Sequence, residues 1–211
     1  MIVIVDYDAG NVGSVQNIVR KAGGEAVVSG DPATVAAADK IILPGVGHFS
    51  KAMERLAARG LTTALGEAVI ARRVPFLGIC LGMQLIGQHS EEGDCKGLGW
   101  IPARVVKFVS EPAHQILVPH MCWNTITVRR PEPLLEGLPS DSRFYFVHSY
   151  HMVCDEENDE VATSCHGRDF TAVVRCGNIC GMQFHPEKSH KFGLQIMKRF
   201  VSAETPCAAR V

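Results

Sequence analysis

The first eighty residues alternate short apolar runs with helix signals, and this alternation constrains the fold more than any other feature of the chain. Continuous apolar runs are typical of strands covered on both faces, as in a parallel sheet between two layers of helices. We therefore predict an α/β fold with three layers, in which a mostly parallel central sheet has helices on both faces. The runs lie at 2–6, 25–29, 40–44 and 75–79, and helix signals lie through 15–20, from 31 and over about 49–72.

From about Gly97 the pattern changes to short β-like runs separated by proline, glycine and acidic turns, which favour a short antiparallel β extension. The sheet is expected to resume at 179–183, before an amphipathic helix over about 189–202. We expect a single domain over 1–203, followed by a frayed tail at 204–211. The β-like runs lie at 103–107, 125–129, 144–148 and 171–175.

With 211 residues, the chain is long enough to bury a core without a disulfide or a metal. A hydrophobic fraction of 46% and a net charge of −1 indicate neither disorder nor a basic surface for nucleic acid. The chain opens directly on a strand, and its eight cysteines include no C-x-x-C pair, so we expect a cytosolic protein with reduced thiols. No apolar run approaches the length of a membrane span. We expect no metal, no other cofactor, no nucleic-acid partner and no membrane association.

A single cysteine stands where the run 75–79 turns into a helix, in the sequence Gly78-Ile-Cys-Leu-Gly82. In a G-x-S-x-G turn, the glycines let the backbone bend tightly and hold the reactive side chain clear of the sheet. The same spacing around Cys80 indicates a thiol nucleophile, and a helix that begins at Leu81 directs free N–H groups toward the sulfur. Taken alone, the segment fits equally well a buried apolar cysteine at the end of a strand.

About a hundred residues later the chain reads Gly181-Met-Gln-Phe-His-Pro-Glu187. Pro186 favours an extended His185, and residues two apart in an extended segment project to the same side. The Glu187 carboxylate can therefore reach the imidazole, whose other nitrogen faces a thiol. We predict that Cys80, His185 and Glu187 act as nucleophile, base and orienter. Because a lone His-Pro-Glu also fits a surface turn, the prediction depends on pairing the two segments.

Together these segments resemble the class I, or triad-type, glutamine amidotransferases, whose glutaminase domains carry a G-x-C-x-G-x-Q turn and an H-P-E end. The resemblance runs nearly end to end and implies the family's fold and the hydrolysis of L-glutamine to glutamate and ammonia. Further motifs are similar to one subfamily, the glutaminase subunits of imidazole glycerol phosphate synthases: Asp6-Tyr-Asp-Ala-Gly-Asn11, Leu43-Pro-Gly-Val-Gly47, Pro119-His-Met-Cys-Trp-Asn124 and Tyr145-Phe-Val-His-Ser-Tyr150.

Two backbone segments are candidates for the oxyanion hole. Leu81 follows the nucleophile, and the N–H of that residue is a donor in the hydrolase template. The segment Pro44-Gly-Val-Gly47 can supply a second donor, because its glycines permit unusual backbone angles. The resemblance assigns that role to Val46, next to Gly47. An ordinary Pro-Gly turn at the end of a strand is the alternative.

The substrate-binding residues are implied mainly by the resemblance. Gln84 lies one helical turn past Cys80, so its amide can face the same pocket, and the family uses a glutamine there to bind its substrate. A solvent-facing side chain is the alternative for Gln84. The resemblance also places Gly45, Tyr145, Ser149 and Tyr150 in the glutamine site, with packing in the core as the competing interpretation of the strand around 145–150.

A complete glutaminase site without an acceptor domain implies a partner, because free glutaminase activity would waste glutamine. In the family the partner is a (β/α)₈-barrel cyclase. It forms a heterodimer with the glutaminase and uses the ammonia to make imidazole glycerol phosphate and an aminoimidazole carboxamide ribotide. By resemblance, Lys188 is an ion-pair anchor at this interface, and core packing is the alternative for Trp123. The implied interface residues are Asn11, Met121, Trp123, Asn124 and Lys188.

Two residues depart from the family pattern, Cys122 and Asp8, where glycine is usual. A positive φ at Cys122 would cost about 1 kcal/mol or more, and Asp8 would add a carboxylate near the expected ammonia exit. Both departures bear on the identity of the partner more than on the triad. Two other functions therefore stay open. One is a paralogue that supplies ammonia to a surface-sugar amidotransferase, and the other is a non-catalytic regulatory partner, against which the intact triad argues.

Overall fold

The computed structural model describes residues 1–111 and 116–203. These residues form fourteen strands, most of them in one large mixed sheet. The strands are β1 Ile2–Val5, β2 Ala26–Ser29, β3 Lys40–Gly45, β4 Phe76–Cys80, β5 His89–Ser90, β6 Cys95–Lys96, β7 Ala103–Lys107, β8 His120–Thr125, β9 Thr127–Val128, β10 Arg143–His148, β11 Tyr150–Cys154, β12 Glu160–His166, β13 Arg168–Cys176 and β14 Ile179–Met182.

The helices are α1 Val12–Lys21, α2 Pro32–Ala36, α3 Phe49–Ala58, α4 Leu61–Leu65, α5 Leu81–Leu85 and α6 His190–Ser202, with a π-helical segment at Gly66–Ala71. Local sequence sets the ends of several of them. The Asn11 side chain accepts a hydrogen bond from the N–H of Ser14 at 3.2 Å and caps α1. Asp31 caps α2 in the same way, directly before Pro32. Gly60 has φ +69°, and this left-handed residue separates α3 from α4.

The large sheet joins a parallel half to an antiparallel half. In the parallel half the strand order is β2-β1-β3-β4-β14, and every neighbouring pair in it is parallel. From β14 the sheet continues through antiparallel pairs to β13, β11 and β7. Strands β8 and β10 pair with each other in a separate antiparallel sheet. Consequently β4 is a central strand, between β3 and β14. Open α/β sheets bind their ligands at the carboxyl ends of such strands.

The core lies on both faces of this sheet, because alternate residues of each strand point to opposite sides. Val3 and Val5 of β1 pack on one face with α3 and α4. Ile2 and Ile4 pack on the other face with α1 and α6. The three-layer α/β fold and its antiparallel extension, both predicted from the sequence, are therefore confirmed.

Some boundaries differ from the sequence-based expectation. The run predicted at 125–129 is divided, because Thr125 ends β8 and only Thr127–Val128 continues as β9. The helices predicted over about 49–72 are present, and Gly60 divides them into α3 and the segment that begins with α4. The tail expected at 204–211 lies outside the described residues. In the ranges that the structure describes, no helix has the length and apolarity to cross a membrane.

Candidate active site

Cys80 ends β4 in an unusual backbone conformation, with φ 54° and ψ −110°, directly before α5. A positive φ is unfavourable for any residue with a Cβ, and such strain is concentrated at functional sites. The flanking glycines are needed for close packing. A Cβ at Gly78 would lie 2.6 Å from the Gly82 carbonyl oxygen, and one at Gly82 would collide with the carbonyl oxygen of Leu43. The sequence therefore folds into the sharp strand-to-helix turn that its glycine spacing predicts.

Two polar groups contact the buried sulfur of Cys80. Its thiol points toward the Val147 carbonyl oxygen, at a sulfur-to-oxygen distance of 3.9 Å. The side-chain amide nitrogen of Gln183 lies 3.7 Å from the same sulfur. Sequence reasoning missed Gln183, although it stands two residues before His185, because the pattern alone did not show which way its side chain points.

His185 and Glu187 flank Pro186 at the start of a 3₁₀ turn, Pro186–Lys188. The distance from His185 Nδ1 to Glu187 Oε1 is 2.8 Å, and both side chains are buried. Ser189 fixes this turn, since its hydroxyl donates to the His185 carbonyl at 2.6 Å and accepts from the N–H of Tyr145 at 3.0 Å. His185 N–H also donates to the Tyr145 carbonyl at 2.9 Å. His185 and Ser189 thus both attach the turn to Tyr145 of β10.

The environment of His185 favours its protonated form. Burial disfavours the charged imidazolium, but the Cys80 sulfur and the Glu187 carboxylate outweigh burial and raise the pKa of His185 well above its ordinary value. Nδ1 carries a proton toward Glu187, and Nε2 hydrogen-bonds to no residue in the described ranges. Nε2 is therefore the nitrogen available for proton exchange.

A cavity of about 340 Å³ opens beside Cys80. It brings together seven residues that the sequence nominated for the oxyanion hole, the nucleophile and the substrate site: Val46, Gly47, Cys80, Leu81, Gln84, Ser149 and Tyr150. Four more residues complete its lining: Glu92, Pro119, Val147 and His148.

Glu92 is a cavity residue that sequence reasoning missed. One oxygen of its carboxylate accepts from the N–H of Phe49 at 2.8 Å, which anchors the side chain at the start of α3. The same side chain lines the cavity and places a carboxylate there. In the sequence Glu92 follows Glu91 in a polar loop, and such a pair is typical of solvated surface.

The Pro44–Gly47 segment packs tightly against the cysteine turn. Gly45 is the register partner of Cys80 in the parallel pair of β3 and β4. The buried Tyr7 hydroxyl donates to the Pro44 carbonyl at 2.8 Å, and a Cβ at Gly45 would lie only 2.5 Å from that hydroxyl oxygen. Gly47 has φ +105°, a conformation that favours glycine. Val46, between them, is 45% exposed.

A chain of hydrogen bonds runs from His148, which lines the cavity, to His120 and Cys122. His148 Nδ1 donates to the Tyr150 carbonyl at 2.8 Å, and the other nitrogen of His148 lies 3.0 Å from Nδ1 of His120. The Cys122 sulfur lies 3.1 Å from the remaining nitrogen of His120. Burial lowers the pKa of His120 to about 4 and that of His148 to about 3, so both rings are neutral near pH 7. Within the described ranges, no group of three or more metal-binding side chains is arranged to hold an ion.

The residues implied at a partner interface have several environments. Met121 and Trp123 are exposed on β8, and the Trp123 ring stacks on His190 with 5.0 Å between ring centroids. Lys188 Nζ lies 5.3 Å from the centroid of the Tyr145 ring. Tyr145, which was expected in the glutamine site, therefore faces Lys188 and does not line the cavity. Asn11 caps α1, and the Asn124 side chain donates to the Cys165 carbonyl at 2.7 Å.

The two departures from the family pattern have different consequences. Cys122 lies in the extended strand β8 and is not one of the positive-φ residues, so the conformational cost considered for it does not arise. Asp8 does have a positive φ of 60°, where glycine would be favoured. Its carboxylate pairs with Arg59.

Comparisons with known proteins find relatives over nearly the whole chain. The family model described as glutamine amidotransferase class-I matches residues 3–203. The chain is 45% identical to imidazole glycerol phosphate synthase subunit HisH 2 of Methanococcus maripaludis, over 95% of this chain and 98% of that one. It is 48% identical to the HisH subunit of Sulfurimonas denitrificans, over 95% and 97% of the two chains.

Solved structures show the same fold at low sequence identity. A putative GMP synthase chain from Thermoplasma acidophilum superposes with a TM-score of 0.69 and 20% identity, over 95% of this chain and 91% of that one. The structure of PurLQS from Thermotoga maritima gives a TM-score of 0.70 at 16% identity, with coverage of 94% and 96%. From its fold, the turn at Cys80 and the family match over 3–203, the chain belongs to the class I glutamine amidotransferase family.

Proposed function

We propose that this chain is the glutaminase subunit of an imidazole glycerol phosphate synthase and that Cys80, His185 and Glu187 are its catalytic triad. The observation that carries the glutaminase assignment is the thiol of Cys80, which lies in a strained turn beside a cavity of about 340 Å³ and next to a buried His–Glu pair. A non-catalytic regulatory role gives no reason to retain this combination, since strain is kept where function needs it.

Catalysis begins when the Cys80 thiolate attacks the side-chain carbonyl carbon of glutamine. The N–H groups of Leu81 and Val46 stabilise the resulting oxyanion, with Gly47 giving the loop its geometry. His185 then donates the Nε2 proton to the departing nitrogen, which leaves as ammonia. The raised pKa of His185 keeps that proton in place near neutral pH. Water, deprotonated by His185, hydrolyses the glutamyl thioester and releases glutamate.

The cavity complements the polar ends of glutamine. Glu92 presents a carboxylate that suits the α-ammonium group of the substrate. Gln84, Ser149 and Tyr150 supply neutral polar groups on the facing wall. Gly45 allows β3 to approach the cysteine turn closely enough to enclose the substrate amide.

The partner is inferred from the relatives, since those of Methanococcus maripaludis and Sulfurimonas denitrificans are named HisH subunits of imidazole glycerol phosphate synthase. The proposed heterodimer joins this chain to a (β/α)₈-barrel cyclase. Ammonia passes into the cyclase and is used to form imidazole glycerol phosphate and the aminoimidazole carboxamide ribotide. The exposed side chains of Met121 and Trp123 suit such an interface, because aromatic residues and methionine are enriched in protein contacts.

The test uses Cys80→Ala in a complex with the cyclase subunit from the same cell. Glutamine-dependent synthesis should be lost, whereas synthesis from added ammonium salt should persist, because the cyclase accepts free ammonia. Glutaminase activity in Cys80→Ala would contradict the triad. A pull-down from the native cell with mass identification tests the partner, and recovery of a sugar amidotransferase in place of the barrel would contradict the proposed pathway.

A further inference from the structure

We infer that Gln183 is a further catalytic residue, whose side-chain amide donates to the Cys80 sulfur and connects it to Gln84. The inference depends on the proposed role of Cys80 as the nucleophile. It concerns a residue outside the proposed triad, oxyanion hole and substrate-binding set. Gln183 is fully buried, and such a polar side chain is retained only when its groups have partners.

The sheet brings Gln183 next to the nucleophile. Strands β4 and β14 are parallel neighbours, and Ile79 is the register partner of Met182. Gln183 follows Met182 as Cys80 follows Ile79, so the two residues leave the sheet side by side. The N–H of Gln183 donates to the Ala172 carbonyl at 2.9 Å and fixes its backbone. Its side-chain nitrogen then lies 3.7 Å from the sulfur.

Hydrogen bonding fixes the orientation of both amides. The Tyr150 carbonyl can only accept, so the Gln84 group that lies 2.9 Å from it must be the NH₂. That same NH₂ lies 2.9 Å from the Gln183 side chain, which must therefore present its oxygen. The NH₂ of Gln183 is left facing Cys80. The order of partners from Tyr150 to Cys80 thus determines which group of Gln183 is the donor at the sulfur.

A neutral N–H donor suits this position chemically. It stabilises negative charge on the sulfur when the thiol is deprotonated, and it adds no charge that would compete with the His185 imidazolium. It also restrains the sulfur from the side of β14. The shared hydrogen bond has a second effect, because both donors of Gln84 are used and only its oxygen remains for the substrate.

The experiment measures alkylation of Cys80 by iodoacetamide in the full chain, without glutamine or partner. Because the chain has eight cysteines, the modified Cys80 peptide is quantified by mass spectrometry. Gln183→Met keeps the length of the side chain but has no donor. We expect Cys80 in Gln183→Met to react about tenfold more slowly at pH 7, because losing one hydrogen bond to a charged group changes an equilibrium by about that factor or more. The pH midpoint of alkylation should move upward by about one unit.

Two further variants make the test decisive. Gln88→Met makes the same chemical change at an exposed glutamine and should react like the wild type. Gln183→Glu keeps an oxygen that accepts from Gln84, and it replaces Gln183→Met in the test if that variant does not fold. At pH 9 the glutamate is ionised, and its negative charge should also slow the alkylation of Cys80. A wild-type alkylation rate in folded Gln183→Met, or in folded Gln183→Glu at pH 9, would overturn the inference. The alkylation rate is measured without glutamine turnover. Failure of the proposed function would be seen in a different experiment, as glutaminase activity that persists in Cys80→Ala.

Discussion

The imidazole of His185 and the carboxylate of Glu187, two residues apart in the chain, meet at 2.8 Å in the interior of the protein. Glu187 holds the proton on Nδ1 but does not itself transfer it. Glu187→Gln should therefore retain roughly 10- to 100-fold more glutaminase activity than His185→Ala, as orienting residues do in comparable triads. The measurement is the steady-state rate of glutamine hydrolysis by each variant, in complex with the partner and at saturating glutamine. The reverse order would give Glu187 a different role.

The backbone strain at Cys80 predicts different stabilities for two inactive variants. Both Cys80→Ala and Cys80→Gly remove the thiol, but only glycine adopts φ 54° without a steric cost. Cys80→Gly should be more stable than Cys80→Ala by about 1 kcal/mol or more. Urea denaturation of the two folded variants provides the measurement. A more stable alanine variant would show that this turn is not strained.

Glutamine hydrolysis should be slow in the isolated chain and fast in the complex. We expect the Val46 N–H to point away from the oxyanion in the free chain, and the liganded partner to stabilise the flipped peptide. The glycine at position 47 and the exposure of Val46 give this segment its freedom. One oxyanion donor is worth about 10²–10³ in rate, so activation of at least that size is expected. The chain alone, with its partner, and with partner plus acceptor ligand should be compared. Equal rates in all three would indicate a preformed hole.

The carboxylate of Glu92 should contribute mainly to substrate binding. Glu92→Gln keeps an oxygen for the N–H of Phe49 but loses the charge that faces the cavity. We expect KM for glutamine to rise about 10- to 100-fold, the range that corresponds to one charge-assisted hydrogen bond, with kcat nearly unchanged. Glu91→Gln, next to it on the exposed surface, is the matched control. An unchanged KM in Glu92→Gln would remove Glu92 from the ammonium site.

The buried neutral histidines His120 and His148 should make the fold sensitive to acid. The pKa of His120 is about 4 and that of His148 about 3 in the folded chain, against 6.5 when unfolded. As pH falls below about 6.5, the unfolded chain binds protons that the folded chain does not, so the free energy of unfolding decreases. Each histidine contributes up to about 1.4 kcal/mol per pH unit. Urea denaturation between pH 7 and 4.5 should show a smaller decrease in His148→Asn, and an identical decrease would contradict this origin.

The sequence predicted those features that depend on local geometry. The glycines around Cys80 specify a tight turn, and the short spacing of His185 and Glu187 allows their side chains to meet. The alternation of strand and helix signals along the chain also predicted the parallel half of the sheet. These features need no knowledge of distant partners, because each is specified within a few residues or by a repeated pattern.

The remaining features depend on which distant segments pack together. Strand β8 has mostly exposed side chains and no clear apolar period, so its pairing with β10 could not be predicted. Glu92 and Gln183 are polar residues whose direction is fixed by distant contacts. Glu92 bonds to Phe49, 43 positions away, and Gln183 bonds to Gln84 and Cys80, 99 and 103 positions away. Chemistry at the cavity wall is therefore determined by tertiary packing, which a single sequence does not display.

The backbone angles of Cys80 also bear on the evolutionary fate of duplicated genes. Because glycine relieves the strain at this position, a gene copy freed from selection for glutamine hydrolysis gains stability when glycine replaces Cys80. In such a copy this substitution can be retained, although it removes glutaminase activity. Among duplicates with this turn, glycine at position 80 would mark a copy that has exchanged its nucleophile for stability, whereas a retained cysteine would mark one in which the strained turn is still kept under selection.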